Sequence, residues 1–373
     1  MEQAEITIIG AGVIGLAVAA ELSKVFPNIF VIERNSSFGE EISSRNSEVV
    51  HAGIYYPKDS LKTRSCIEGR QLLYEYCAQN NISHRKTGKL IVAIDTGEIG
   101  ELGALFRNGL GNGVTDLKLL SKDEVKKLEP CVECLAAIYS PSTGIIDSHA
   151  LMKSLVYQLE AQGGMIAYNT ELKDISRDRN GFEITVEDKK EGRFKFLSRI
   201  AINCAGLNSD KVAAMIGLSK EEYKLKYCKG DYFRVSPRKA SHIKHLVYPV
   251  PQHGRAGLGI HATLDLAGGL RLGPDDEYVD RIDYNVDASK QELFYESARQ
   301  FLPFIKFDDL SPDIAGIRPK LQGAGEEFRD FIIKDETESG LLGFINLIGI
   351  ESPGLTACLS IARTVKRLVN DRT

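Results

Sequence analysis

Three glycines near the start of the chain, in Gly10-Ala-Gly-Val-Ile-Gly15, have the spacing of a turn that cradles a pyrophosphate. The first lets the chain reverse sharply. The second removes the Cβ that would meet the phosphates, and the third lets a helix pack closely on a strand. Val13 and Ile14 open that helix, whose unpaired N–H groups and macrodipole favour negative charge. Glu33, eighteen positions after Gly15, is placed to accept hydrogen bonds from a ribose diol. The chemistry implied is the binding of a dinucleotide.

The glycines serve this purpose only if a strand delivers them and a helix follows them. Glu5 to Ile9 is an apolar run suited to a buried parallel strand, and a helical pattern continues through Leu16, Ala19, Ala20 and Leu22 to Phe26. Pro27-Asn28 ends it, and Ile29 to Ile32 supplies a second strand that finishes at Glu33. Further helices are expected over 60–79, 97–113, 147–161, 291–301 and 355–369. Strands are expected over 88–94, 165–168, 200–203 and 344–348, with a hairpin of 182–187 and 193–197. Between 227 and 273 short strands punctuated by Gly and Pro (231–235, 246–249, 258–261) read as an antiparallel sheet. The other Gly-dense stretch, Gly109 to Gly113, follows a helix and reads as its end. One dinucleotide site and about 340 further residues suggest that the cofactor is FAD, with an organic substrate as its reductant.

Composition agrees with a large folded core. The chain has 373 residues, 43% of them hydrophobic, with a formal net charge of −4 and no basic footprint for nucleic acid. Seven scattered cysteines do not form a secreted disulfide framework. Cys131-Val-Glu-Cys134 lacks two further ligands at metal-site spacing, so no metal is expected. The opening Met-Glu-Gln-Ala-Glu lacks the basic, then apolar stretch of a signal peptide, and no run reaches membrane-spanning length. These features lead to the expectation of a cytoplasmic protein, with peripheral membrane contact left open.

The stretch Ser43-Ser-Arg-Asn-Ser-Glu-Val-Val-His51-Ala-Gly-Ile-Tyr55-Tyr56 resembles the L-2-hydroxyglutarate dehydrogenases and oxidases, within the FAD-dependent D-amino-acid-oxidase-like (DAO) superfamily. So do Gly88 to Ala93, Thr143 to Asp147, Asn203 to Leu207, Lys229 to Tyr232, Tyr248 to Pro251 and Leu272 to Pro274, which spread the resemblance over nearly the whole chain. It implies a fold of α/β plus α+β class: a Rossmann-like FAD-binding domain (1–85, 142–222 and 312–373) interleaved with an antiparallel-sheet substrate domain (86–141 and 223–311). Carried over by motif, Gly10, Gly12, Gly15 and Glu33 hold the ADP part. Arg34, Ser43, Ser44, Arg45, Asn46 and Ser47 line the adenine-to-diphosphate side. Leu172 meets adenine through its backbone, Ala205 and Gly206 pass the diphosphate, and Ser352, Pro353, Gly354, Leu355 and Thr356 bring a helix start to the flavin.

For the reaction, oxidation of an alcohol needs a base, and a histidine with a near-neutral pKa suits that task. The family positions point to His51 and His261; His51 could instead stack on the flavin or be its covalent attachment. Arg318, in a turn resembling the family's substrate-facing one, could clamp a carboxylate bidentately and contact the cofactor, with Lys320 as a second charge and Tyr55 as a hydroxyl donor. The expected activity is oxidation of a small 2-hydroxy acid, first L-2-hydroxyglutarate, to the 2-oxo acid, with electrons passing on to oxygen, a quinone or a carrier protein. The alternatives are an amine or amino-acid oxidase and a glycerol 3-phosphate dehydrogenase on the same fold.

Overall fold

The computed structural model describes residues 3–251 and 259–370. In chain order, the elements that frame the site begin with β1 (Gln3–Ile9), α1 (Val13–Leu22), β2 (Ile29–Ile32), α2 (Leu61–Gln79), β3 (Lys89–Ala93) and β4 (Ala136–Ser140). Next come α3 (Ser148–Ala161), β5 (Met165–Ala167), β6 (Thr170–Asp178), β7 (Gly181–Asp188) and β8 (Gly192–Asn203). The second half adds β9 (Lys226–Val235), β10 (Leu246–Pro249), β11 (Ala262–Leu264), β12 (Leu270–Leu272), β13 (Leu310–Lys320), β14 (Ile332–Glu336), β15 (Leu341–Ile348) and α4 (Gly354–Asn370).

The apolar runs read as buried strands assemble the first sheet. β5, β2, β1, β8 and β15 are parallel neighbours, with Ile6 opposite both Ile29 and Ile200, Phe30 opposite Met165 and Ala201 opposite Phe344. The expected hairpin and the expected strand at 200–203 turn out to share one strand, β8. Its first half pairs antiparallel with β7 and its second half runs parallel to β1 and β15. Leu16, Val18 and Leu22 of α1 pack in one core with Leu151, Leu155 and Leu159 of α3 and Ile361 and Val365 of α4. Such continuous burial is what a parallel sheet covered by helices requires. A Cβ on Gly69 of α2 would run into the Thr356 carbonyl, so this glycine lets α2 cross α4 at close range.

Among the described residues the second sheet has nine strands, antiparallel except where β10 runs parallel to β3, with Leu246 opposite Lys89. β13 pairs along β9 from Lys320 opposite Lys226 to Leu310 opposite Val235. Residues 312–320 therefore hydrogen-bond with the second sheet, whereas the sequence reading grouped them with the first. The physical reason is local. Pro312, Gly316 and Pro319 read as strand breakers, but among the described residues β13 pairs with β9 alone, and such an edge position tolerates proline. Among the described residues β11 begins at Ala262, so the expected strand over 258–261 is not seen: His261 just precedes β11, and residue 258 lies outside the described residues. A small sheet of Val49–Val50, His84–Arg85 and Gly144–Ile146 joins the layers, with Val50 and Ile146 in the core of the first and Val49 and Ile145 in that of the second.

Candidate active site

A cavity of about 620 Å³ extends between the two sheets. At one end it is lined by Gly10, Gly12, Val13, Ile14, Glu33, Arg34, Leu172, Ala205 and Gly206. At the other it is lined by His51, Tyr55, Tyr56, Tyr248, His261, Arg318, Lys320 and Ser352, with Pro353, Gly354 and Leu355 beside them.

The nucleotide end follows from backbone geometry. Gly10 has φ +105°, and a Cβ there would lie 2.6 Å from the Cys204 carbonyl oxygen, so only glycine lets β1 turn beside β8. The Ser43 hydroxyl accepts the Val13 N–H at 2.9 Å, and a Cβ on Gly12 would come within 3.1 Å of the same oxygen. Gly15 does not line the cavity; a Cβ there would strike the Gly10 carbonyl, which makes its part helix packing. Glu33 accepts the Ala11 N–H at 2.8 Å and the Asn35 N–H at 2.9 Å, which fixes both carboxylate oxygens at the end of β2. A cradle kept open by Gly10 and Gly12, with a fixed carboxylate beside it, fits the ADP half of FAD. Replacing Gly10 by alanine should therefore lower the FAD retained by the purified protein at least tenfold, through backbone strain and a clash with Cys204. The ratio of flavin to protein absorbance reads this directly.

The remaining residues of the 43–47 segment divide by role. Ser44 is exposed, donates to the Glu41 carbonyl and stays off the cavity, so the expectation that it lines the cofactor is corrected. Asn46 braces its own turn by donating to the Ser43 carbonyl and accepting the Glu48 N–H. Arg45 lies over the Tyr284 ring, 4.1 Å from its centroid, and Ser47 shares a 2.9 Å hydrogen bond with Tyr232. Arg34 pairs with Glu41. Thr356 is fully buried behind the wall, where its hydroxyl accepts the His51 N–H and donates to the Val49 carbonyl. Its part is to hold the His51 backbone to α4. Ser352 does not cap α4, because the helix starts at Gly354; the Ser352 hydroxyl instead lies 3.3 Å from His51 Nε2 and 3.4 Å from the Tyr56 hydroxyl.

At the other end, burial holds the His51 imidazole down to about 3, with the nearby Lys89 charge as the second cause, so the ring is neutral at physiological pH. His261 stacks on Tyr248 at 3.5 Å between ring centroids. Arg318 lies in β13, not in the turn expected. Its guanidinium donates to the carbonyls of Asp275 (2.7 Å), Lys229 (3.3 Å) and Cys228 (3.4 Å), which fixes the fork while leaving its charge unneutralised by those partners.

The sequence reading missed several residues here. Lys62 and Glu351 form a buried ion pair at 2.8 Å on the cavity wall. Burial pulls the Glu351 carboxyl upward, but Lys62, Lys320 and Arg318 outweigh it and keep the group ionised. Lys62 lies in the first turn of α2 and Glu351 in the loop before α4, so neither carries a local signal; the contact between these segments unites them. Tyr232, Gln322 and Phe328 also line the cavity.

Together the nucleotide cradle and the neutral imidazole near fixed cations define a dinucleotide-dependent oxidoreductase. Comparison with known proteins agrees: residues 5–368 match the family model described as FAD dependent oxidoreductase (DAO). L-2-hydroxyglutarate dehydrogenase of Arabidopsis thaliana, named as mitochondrial, is 39% identical over 98% of this chain and 83% of its own. The mitochondrial protein of that name from Homo sapiens is 36% identical over 73% of this chain and 60% of its own. Among solved structures, L-alpha-glycerophosphate oxidase from Mycoplasma pneumoniae with FAD bound superposes with a TM-score of 0.87 at 27% identity, covering 99% of this chain and 95% of that one. The chain belongs to the DAO family of FAD-dependent oxidoreductases. The expectation of a cytoplasmic protein is overturned by these relatives, which are named as mitochondrial. Among the described residues no helix is long and apolar enough to cross a membrane.

Proposed function

We propose that the protein oxidises L-2-hydroxyglutarate to the 2-oxo acid. The observation that carries this reading is a neutral imidazole, His51, in the same cavity wall as a carbonyl-anchored guanidinium, Arg318. When bound, FAD supplies the two-electron acceptor for the hydride that leaves the substrate carbon. Arg318, whose Nε and Nη2 are held by backbone carbonyls, meets the carboxylate next to the reacting carbon through the N–H groups of Nη1, and Lys320 adds a second charge for a dicarboxylate. His51 takes the hydroxyl proton, which leaves a carbonyl oxygen on the product. Tyr55 donates to an oxygen of the substrate, and His261, stacked on Tyr248, shapes the wall. The 2-hydroxy-acid reading has more support than the glycerol 3-phosphate one, since the relatives at 39% and 36% identity carry the hydroxyglutarate name and the glycerophosphate oxidase shares 27%.

Anaerobic mixing of the yellow protein with L-2-hydroxyglutarate should bleach the flavin band within seconds. A band that persists with this acid and disappears with dithionite would overturn the substrate. Admitting oxygen, a quinone or a carrier protein to the bleached sample then identifies the electron acceptor, by which one restores the colour.

A further inference from the structure

Lys89 is 1% exposed, although its charge is unusual in such a place. Among the described residues it joins no ion pair. Its Nζ lies 3.4 Å from the Tyr55 hydroxyl and over two rings, 4.6 Å from the Tyr55 centroid and 4.8 Å from that of Tyr248. The titratable groups around it are Tyr55, Tyr248 with its stacked partner His261, His51 from the segment after Val49–Val50, and Cys66 from α2. Burial raises both tyrosines, pushes the Cys66 thiol up to about 12 and, with Lys89, holds His51 down to about 3, so none of these four carries a charge near neutral pH. Tyr55 lines the cavity and Lys89 stands behind it.

An ammonium has three donors and no acceptor. In its presence the Tyr55 oxygen must accept, and the phenol's own proton turns elsewhere. A neutral amine would accept that proton and turn it inward. We propose that Lys89 is a positioning residue: charged, it directs the Tyr55 O–H into the cavity as a donor to an anionic substrate, and uncharged, it withdraws that donor. Burial lowers the Lys89 ammonium to about 7, which places the change within the working pH range. The inference rests on the reading of the cavity as a 2-hydroxy-acid site.

The test uses the FAD-loaded protein, Lys89→Met, Tyr55→Phe and the double variant. Glutarate binding is followed by perturbation of the oxidised flavin band between about pH 6 and about pH 9, alongside anaerobic reduction by L-2-hydroxyglutarate. Wild-type binding should weaken about tenfold as pH rises through this range, the effect of losing one donor to a charged group. Tyr55→Phe should bind about tenfold more weakly at the acid end and Lys89→Met, which neither orients nor accepts the phenol proton, no more weakly than that, both with a flat pH profile, and the double variant no more weakly than Tyr55→Phe. Tyr55→Phe removes one oxygen only, so its flattened profile tests the inference even if Lys89→Met loses its flavin. A profile that keeps its slope in either single variant, losses that multiply in the double, or no glutarate binding at any pH would each overturn it. Coupled binding without reduction by L-2-hydroxyglutarate would overturn the substrate reading and leave the role of Lys89 standing.

Discussion

Replacing Arg318 by methionine should give a folded, yellow protein that L-2-hydroxyglutarate reduces about a thousandfold less efficiently, with the loss mainly in KM. The magnitude follows from removing one partner of a buried, charge-assisted contact, an effect of about 2–5 kcal/mol. Three backbone carbonyls already fix the guanidinium through Nε and Nη2, so the native side chain presents Nη1 with little ordering left to do. Arg318→Lys keeps the charge and loses the planar pair of donors, and should recover only part of the efficiency. Steady-state and anaerobic reduction kinetics separate the two effects. Efficiency within tenfold of wild type in the methionine variant would remove Arg318 from the substrate site.

His51→Asn should act on the other parameter. The limiting rate of flavin reduction is expected to fall by about 10²–10⁴ with substrate affinity little changed, because general-base assistance is lost while the carboxylate contacts stay. The pH dependence supplies a second check. The free-enzyme imidazole is held down to about 3 by burial and then by Lys89, so it stays unprotonated well below the ordinary histidine range. kcat/KM, which reports the free enzyme, should therefore show no acid limb near pH 6.5, and on the acid side should decline only as pH approaches the folded-state value. An acid limb near pH 6.5, or unchanged reduction in the asparagine variant, would move the base elsewhere.

The nucleotide end was legible in the sequence because its requirements are local. Gly10, Gly12, Gly15 and Glu33 belong to one strand–turn–helix–strand unit within the first 33 residues, and Gly15 answers to the Gly10 carbonyl inside that unit. His51, Tyr55, His261, Arg318 and Lys320 were found through family resemblance and do share one cavity wall. What escaped was non-local. Lys89 sits in a strand of buried residues, where a lysine reads as a chance polar position, and its meaning depends on Tyr55 and Tyr248 arriving from two other segments. Lys62 and Glu351 are 289 residues apart. β13 was hidden by its own prolines, whose tolerance depends on a one-sided pairing that no local pattern reveals.

The sheet that carries the glycine turn has a consequence for synthesis. β1 and β2 precede β8, β15 and α4 in the chain, yet one neighbour of β1 is β8, a neighbour of β8 is β15, and α1 packs against α4. A nascent chain therefore carries its nucleotide turn through synthesis of all the residues between α1 and α4 with one flank of α1 bare. The layer closes only once α4 has emerged, so completion of the nucleotide site waits on contacts between segments far apart in the chain.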